Sequence, residues 1–206
     1  MLNIEEIIFK ENFVQLVLSN SEKLKISYNV YSMYKISGGM SLSAEQYMEL
    51  YDESKKFECM EKALSRLANR GHSVDELRRS LKKKDFSEKH IEETLEYMKE
   101  KGYLNDYSYS MNLVKDRMKS GKYGKNLIVR DLYKKGIDRN TIKKAVKECG
   151  ADITNDDELY RLAMKKYTSI KDKDNPLVKV SNYLLNRGFD YESINRILRQ
   201  IKKDGN

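Results

Sequence analysis

The chain has 206 residues, of which 39% are hydrophobic and 35% charged, and it contains a single proline. This composition predicts a modest core and many solvated helical faces. No apolar run is long enough to span a membrane, and the first six residues lack the pattern of a secretion signal. Cys59 and Cys149 are far apart and form no CxxC pair, so a reduced, cytoplasmic protein without a structural zinc site is expected.

The net charge of +8 is concentrated in one segment. Residues 107–147 contain 12 Lys and Arg against 3 Asp and Glu, a balance of +9. The corresponding balance is −3 for residues 1–58 (6 against 9), and +1 both for 59–106 and for 148–206 (11 against 10 in each). An excess of Lys and Arg scattered along the whole chain would indicate only solvated helix faces. Its concentration over 41 residues favours an anionic partner.

The first part of the chain alternates between apolar and polar residues. The alternating runs are Ile4–Phe9, Phe13–Leu18 and Leu24–Tyr28. They are typical of β-strands, and Asn20-Ser21 fits the turn between the second and the third. Asn29 is placed to cap a short helix that would end at Gly38-Gly39. We therefore predict a small antiparallel β-rich extension over residues 1–42.

From Ser43 onward the apolar period is helical. Ser43 and Gln46 have the spacing of a capping box. The helix is expected to end at Arg70-Gly71, with the glycine in the left-handed conformation. The pattern fits one long helix or two helices with a break near Ser54.

The rest of the chain contains an internal repeat. Residues 81–95, 132–146 and 184–198 align without gaps, with offsets of 51 (132 − 81) and 52 (184 − 132). Each segment predicts the end of a helix, a tight turn, an N-cap and a second helix. Gly136 and Gly188 fit the turn, whereas Asp85 replaces glycine in the first segment and predicts a differently built turn.

Residue types around the three turns also match. The predicted N-caps are Ser87, Asp138 and Asp190, and the apolar residues expected between the paired helices are Phe86, Ile137 and Phe189. A further helix precedes each pair, at 62–70, 107–120 and 157–167. We therefore predict a mainly α-helical tandem array of three three-helix repeats, elongated and curved, behind the β-rich extension. Its predicted parts are 43–106 (a linker helix and the first repeat), 107–150 (the second, basic repeat) and 151–206 (the third).

No catalytic or metal-binding pattern is found. His72 and His90 have no ligand-type residues at suitable spacing, and both are interpreted as surface histidines. The acidic pairs Glu92-Glu93 and Asp156-Asp157 are interpreted as solvated residues that favour helix N-termini. Neither an enzymatic activity nor a metal or other cofactor is expected.

The segment Gly121-Lys122-Tyr123-Gly124 resembles the GXXG clamp that KH modules place on a nucleic-acid backbone. A KH module would flank the clamp with strands, and no strand pattern lies here. A glycine-rich junction between helices is therefore favoured, although its backbone amides remain candidates for contact with a phosphate.

Basic residues of the second repeat lie in rows opposite the apolar stripes of its helices. The candidate contacts with DNA or recombinase are Lys115, Lys119, Lys122, Lys125, Arg130, Lys134, Lys135, Arg139, Lys143 and Lys147. Tyr123 and Tyr133 lie among them and are candidates for stacking on bases, although tyrosine at a helix boundary more often packs. Neutralising several phosphates gives binding that is strongly salt-dependent and insensitive to sequence.

Three motifs resemble signatures of the RecX family. Arg70–Leu77 is similar to R-x-x-S-x-x-E-L, and Gly102–Tyr109 is similar to G-Y-L-x-D-x-x-Y. Gly121–Ile137 is similar to G-x-G-x-x-x-I-x-x-x-L-x-x-K-G-I, with a glycine pair one residue wider. The motifs follow the family order from about residue 40 to the end, and the β-rich head resembles the extension of some members.

The resemblance implies a non-enzymatic regulator of DNA repair, homologous recombination and the SOS response. Such a protein would bind the filament of the RecA recombinase on single-stranded DNA and inhibit its ATPase, strand-exchange and coprotease activities. A monomer without a membrane partner is expected. The alternative is a stand-alone nucleic-acid-binding protein of the helix-turn-helix type, which would bind a defined duplex without a recombinase.

Overall fold

The structure is a computed structural model that describes residues 2–150 and 155–204. Within these ranges the chain forms ten helices and one four-stranded antiparallel sheet at the N-terminus. The mainly helical prediction and the small antiparallel sheet are therefore confirmed. The chain divides into two compact units, residues 1–72 with 77–104 and residues 73–76 with 105–206. The predicted start of the third repeat, 151–154, lies outside the described residues.

The sheet has the strand order β3-β2-β1-β4. The strands are β1 (Leu2–Phe9), β2 (Val14–Leu18), β3 (Lys23–Ile26) and β4 (Ser41–Leu42). Alternating residues of one face, including Ile4, Leu16 and Leu24, are buried in the core. The sequence prediction missed β4, because two residues are too few to produce an alternating pattern.

A short helix, α1 (Tyr28–Met33), follows the third strand. Its N-cap is Ser27, whose hydroxyl accepts a hydrogen bond from the Val30 amide at 3.2 Å. The predicted cap at Asn29 was therefore wrong by two residues, and the predicted third strand extended two residues too far. Serine and asparagine are equally good caps, so local sequence could not decide between them.

Helix α2 (Ala44–Asn69) is a single helix of 26 residues, which resolves the alternative that the sequence left open. The predicted capping box is present, with the Ser43 hydroxyl and the Gln46 side chain each accepting from the backbone amide of the other residue. Ser54 lies inside the helix and accepts a hydrogen bond from the Lys25 amide of β3 at 2.9 Å. Leu50 joins the sheet core, so α2 and the sheet share one hydrophobic layer.

The predicted left-handed glycine after α2 was wrong. Arg70 is the C-cap and is fully extended, with φ of −164°, and Gly71 is not among the residues with positive φ. The chain therefore leaves the helix in an extended conformation, although the Arg70 amide still reaches the Arg66 carbonyl at 3.4 Å.

The remaining helices follow the three-repeat pattern. The first repeat consists of the end of α2, α3 (Val74–Lys82) and α4 (Glu88–Glu100). The second consists of α5 (Asp106–Lys119), α6 (Lys125–Lys134) and α7 (Arg139–Glu148). The third consists of α8 (Asp156–Thr168), α9 (Pro176–Asn186) and α10 (Tyr191–Asp204).

All three turns contain one residue in the left-handed conformation. Gly136 and Gly188 have φ of 75° and 83°, as predicted, and Asp85 has φ of 60°. The expectation that Asp85 requires a different turn was therefore wrong. Aspartate is one of the few non-glycine residues that tolerate this conformation.

The three predicted N-caps are confirmed. Ser87, Asp138 and Asp190 accept hydrogen bonds from the amides three residues later, at 3.2, 3.0 and 2.8 Å. The apolar residue before the cap is buried in two repeats, where Ile137 and Phe189 are 3% and 7% exposed. In the first repeat Phe86 is only half-buried.

Asp138 is expected to make stability depend on pH. Hydrogen bonds from the side chain and the amide of Thr141 hold the pKa of its carboxyl below the usual value of 3.8. A depressed pKa stabilises the fold above the unfolded-state value, and this contribution is lost as the pH falls through the lower folded-state value. Asp138→Asn keeps an effective cap without the titrating group. In urea titrations below about pH 4, we expect this variant to lose less stability than the unchanged chain. Equal losses would contradict this role.

Candidate functional site

The basic side chains of the second repeat lie on the outside of its helices. Nine of the ten predicted contact residues are exposed: Lys115, Lys119, Lys122, Lys125, Arg130, Lys134, Arg139, Lys143 and Lys147. The opposite stripes form the core of the repeat, which includes Val114, Ile128 and Ile142. The helical period predicted this separation correctly, because a residue one turn away shares the same face.

Most of these charges are not compensated by a neighbouring carboxylate. Across residues 2–150 and 155–204, no ion pair involves Lys115, Lys119, Lys122, Arg130, Arg139, Lys143 or Lys147. We define these seven residues as the basic surface. Helices α5 and α7, which carry most of it, pack against each other. Burial raises the pKa of the Cys149 thiol at the end of α7, and the ammonium of Lys115 on α5 opposes this shift.

The two tyrosines among the basic residues, Tyr123 and Tyr133, differ in how accessible their rings are for stacking on a base. The guanidinium of Arg117 lies 4.2 Å from the ring centroid of Tyr123. One face of Tyr123 is therefore occupied, which supports packing rather than stacking on a base. Tyr133 is 49% exposed and keeps its ring accessible.

Lys135 differs from the other predicted contacts. Its Nζ lies 2.7 Å from Oε1 of Glu76, and the two side chains are only 24% and 16% exposed. Tyr109 donates its hydroxyl to the other carboxylate oxygen at 3.0 Å. Burial disfavours the charged form of Lys135, but hydrogen bonds to Glu76 and Tyr109 outweigh it and raise the pKa of the amine. Lys135 therefore has a structural role and does not belong to the basic surface.

The same cluster explains the three sequence motifs. Ser73 donates its hydroxyl to the Lys135 carbonyl at 2.6 Å, and Asp106 accepts from the Val74 amide at 2.9 Å. Gly136 packs so closely on Asp75 that an added Cβ would lie 2.4 Å from the Asp75 Cβ. Residues of all three motifs thus meet within one compact unit, where they hold the 73–76 segment against the second repeat.

We expect Lys135→Ala to destabilise the protein by about 1–3 kcal/mol, because it leaves a largely buried carboxylate without its cation. Urea unfolding measures the loss. Lys143→Ala is the control, since an exposed lysine without an ion pair should change stability by less than about 0.5 kcal/mol. Similar values for the two variants would show that the Glu76 ion pair contributes little.

The glycine loop before α6 acts as a junction. Gly124 donates its amide to the Arg187 carbonyl at 2.8 Å, and Asn126 donates to the Gly188 carbonyl at 3.1 Å. These two amides are therefore occupied and are not free to bind a phosphate. Gly121 takes the left-handed conformation after α5, with φ of 63°.

The interpretation of both histidines as surface residues was wrong, because His72 and His90 are buried. His90 Nε2 lies 2.8 Å from Asp52 Oδ1 of α2. Thr94, one turn later, is also buried. His90 and Thr94 therefore extend the buried face of α4 beyond its apolar residues. The spacing of four between His90 and Thr94 is the sequence signal that was missed.

Residues 2–150 and 155–204 contain neither a cluster of metal ligands nor a helix suited to span a membrane. No group of three or more His, Cys, Asp or Glu side chains is arranged to hold a metal ion. No helix combines the length and apolar character that crossing a bilayer requires.

The fold and the basic residues together define a class: a protein of tandem three-helix repeats whose second repeat exposes seven cations without an ion pair among the described residues. Residues 59–98 match the family model for the first three-helix domain of RecX, and residues 105–146 match the model for the second. The chain belongs to the RecX family of regulatory proteins.

Curated relatives and solved structures agree with this assignment. The regulatory protein RecX of Clostridioides difficile (strain 630) is 31% identical over 170 residues, which cover 82% of this chain and 79% of that protein. A crystal structure of RecX from Lactobacillus salivarius, 25% identical, has a TM-score of 0.62 and covers 72% of this chain and 97% of its own. Another crystal structure, of a regulatory protein RecX, has a TM-score of 0.73 over 96% of this chain and 98% of its own. At 17% identity it shows the fold alone.

Proposed function

We propose that this chain binds the filament that the RecA recombinase forms on single-stranded DNA and inhibits its ATPase, strand-exchange and coprotease activities. Membership of a family of regulatory proteins supports the choice of partner. The observation that carries the proposed contact is the basic surface, seven exposed cations without an ion pair among the described residues. The protein is expected to act as a monomer in the cytoplasm during DNA repair.

The chemistry of a nucleoprotein filament fits such a surface. DNA phosphates carry condensed counterions, and lysine or arginine contacts release them. The free energy of binding then depends strongly on salt and little on sequence, which suits a partner that must act anywhere along a filament. Lys125 and Lys134 are also exposed on the same repeat, and they are secondary candidates for contact.

Inhibition follows if binding favours one state of the filament. A ligand shifts a conformational equilibrium only by its difference in affinity for the two states. A chain that contacts the inactive arrangement more tightly therefore lowers the population that hydrolyses ATP. No catalytic group on this chain is needed.

The test is single-stranded-DNA-dependent ATP hydrolysis by the cognate RecA, titrated with the full chain. We expect the rate to fall to a low plateau, and the midpoint of the titration to rise with salt. A rate that stays constant while the chain binds a defined duplex sequence would favour the helix-turn-helix alternative. A constant rate with no DNA binding would reject both functions.

A further inference from the structure

The first repeat contains an open cleft of about 870 Å³ between α2 and the turn that joins α3 to α4. This volume lies in the range of pockets that bind small molecules or anchoring side chains. Its lining includes the aromatic rings of Tyr51 and Phe86 together with the ammonium groups of Lys62 and Lys84. The cleft lies entirely within the first compact unit and is separate from the basic surface.

Comparison with the other repeats shows what distinguishes the lining of this cleft. The first helices of the three repeats align on their buried pairs, Cys59 and Ala63, Ser110 and Val114, and Leu159 and Ala163. In this alignment Lys62 corresponds to Leu113 and Leu162, which pack against the cores of the second and third repeats. A charged residue thus occupies the position where the other repeats place an apolar one.

The aromatic side of the cleft shows the same difference. Ile137 and Phe189 are buried in their repeats, whereas Phe86 remains half-buried and lines the cleft. Tyr51 is 39% exposed. The first repeat therefore leaves apolar surface accessible at Phe86, whereas the equivalent residues of the other two repeats are buried.

The charges of the lining are partly compensated. Glu58 pairs with Lys55 and Glu61 pairs with Lys25, both at 3.0 Å. Across residues 2–150 and 155–204, no ion pair involves Lys62, Lys84 or Asp85. The cleft therefore offers two ammonium groups against one uncompensated carboxylate.

We propose that this cleft binds a segment of a partner protein that inserts one large apolar side chain beside Phe86 and presents carboxylates to Lys62 and Lys84. A buried apolar anchor with flanking charged contacts is a common basis of protein recognition. A nucleic-acid strand fits less well, because it carries a charge at every nucleotide and would place phosphates beside Glu58, Glu61 and Asp85 as well. A peptide can present carboxylates to Lys62 and Lys84 alone and neutral groups to the acidic part of the lining. This inference does not depend on the proposed function, since it concerns a different surface.

The test is selection from a random heptapeptide display library on the immobilised full chain. We expect the enriched peptides to share one large apolar residue flanked by aspartate or glutamate. A labelled peptide from this set is then measured by fluorescence anisotropy. Lys62→Leu, which introduces the residue type of positions 113 and 162, removes one of the two ammonium groups and is expected to weaken binding severalfold while preserving the unfolding midpoint.

Charge variants complete the test. The double variant Lys62→Glu, Lys84→Glu should weaken binding at least tenfold, whereas Lys83→Glu, which lies outside the lining, should not. No enrichment, a selected set without acidic residues, or unchanged binding by Lys62→Leu would overturn the proposal. Loss of oligothymidylate binding in the double variant would assign the cleft to nucleic acid and overturn it as well. Inhibition of the recombinase ATPase by Lys62→Leu reports separately on the proposed function.

Discussion

Replacing Lys115, Lys119, Lys143 and Lys147 with glutamate is expected to weaken binding to the RecA filament at least a hundredfold. The change lowers the balance of residues 107–147 from +9 to +1. If the four lysines each neutralise one phosphate, the salt dependence of log K should decrease by about 3 units on single-stranded DNA. Stability should fall by no more than about 2 kcal/mol, because all four side chains are exposed and none has an ion pair among the described residues. The cost arises at Lys119 and Lys147, where a carboxylate in the last turn of a helix opposes the helix dipole.

The measurement is filament binding at several salt concentrations, together with the midpoint of ATPase inhibition. The control carries the same change of charge on exposed lysines of the third repeat: Lys165, Lys179, Lys202 and Lys203. Equal losses in the two variants would show that net charge matters and location does not. Unchanged binding by the first variant would remove the second repeat from the interface.

Gly188→Ala is expected to have the largest effect on stability, a loss of more than about 4 kcal/mol. An added Cβ would lie 2.2 Å from the Leu127 backbone nitrogen, and the residue has φ of 83°. Gly124→Ala is expected to behave similarly, because its Cβ would lie 2.3 Å from the Gly188 carbonyl carbon. Backbone atoms on both sides leave no flexible side chain to move aside.

Gly102→Ala separates the steric effect from the conformational one. Gly102 has φ of 73°, but nothing lies within 4 Å of its added Cβ. We expect a loss of about 1–2 kcal/mol, the penalty for a left-handed non-glycine residue. Urea unfolding and hydrogen exchange of the α6 and α9 amides measure these changes. Equal effects at positions 102 and 188 would contradict the close contact.

The features that the sequence predicted well depend on short-range spacing. The 51- and 52-residue offsets located the paired helices, because the turn glycines and cap oxygens act on their immediate neighbours. Exposure of Lys143 and Lys147 followed from the helical period in the same way. These predictions needed no knowledge of which helices pack together.

The features that were missed depend on distant partners or on context. The Glu76–Lys135 ion pair joins residues 59 apart in sequence, so no local pattern indicates it. His90 is buried because its imidazole reaches Asp52, 38 positions away. The cleft in the first repeat is lined by Lys62 at a position where the other two repeats have leucine, and this difference is recognised only when the three cores are compared. Asp85 differs from these cases, because it adopts the left-handed conformation for which the sequence pattern of the other two turns uses glycine.

Helix α2 has a consequence for attempts to shorten the protein. The same helix buries Leu50 against the sheet and, further along, packs Cys59 and Ala63 in the first repeat. Removing the strands would expose Leu50 to solvent and would remove the Lys25 amide that donates a hydrogen bond to Ser54. A truncated variant would therefore need hydrophilic substitutions along the first turns of α2 to remain monodisperse. The β-rich extension is thus a structural part of the first compact unit.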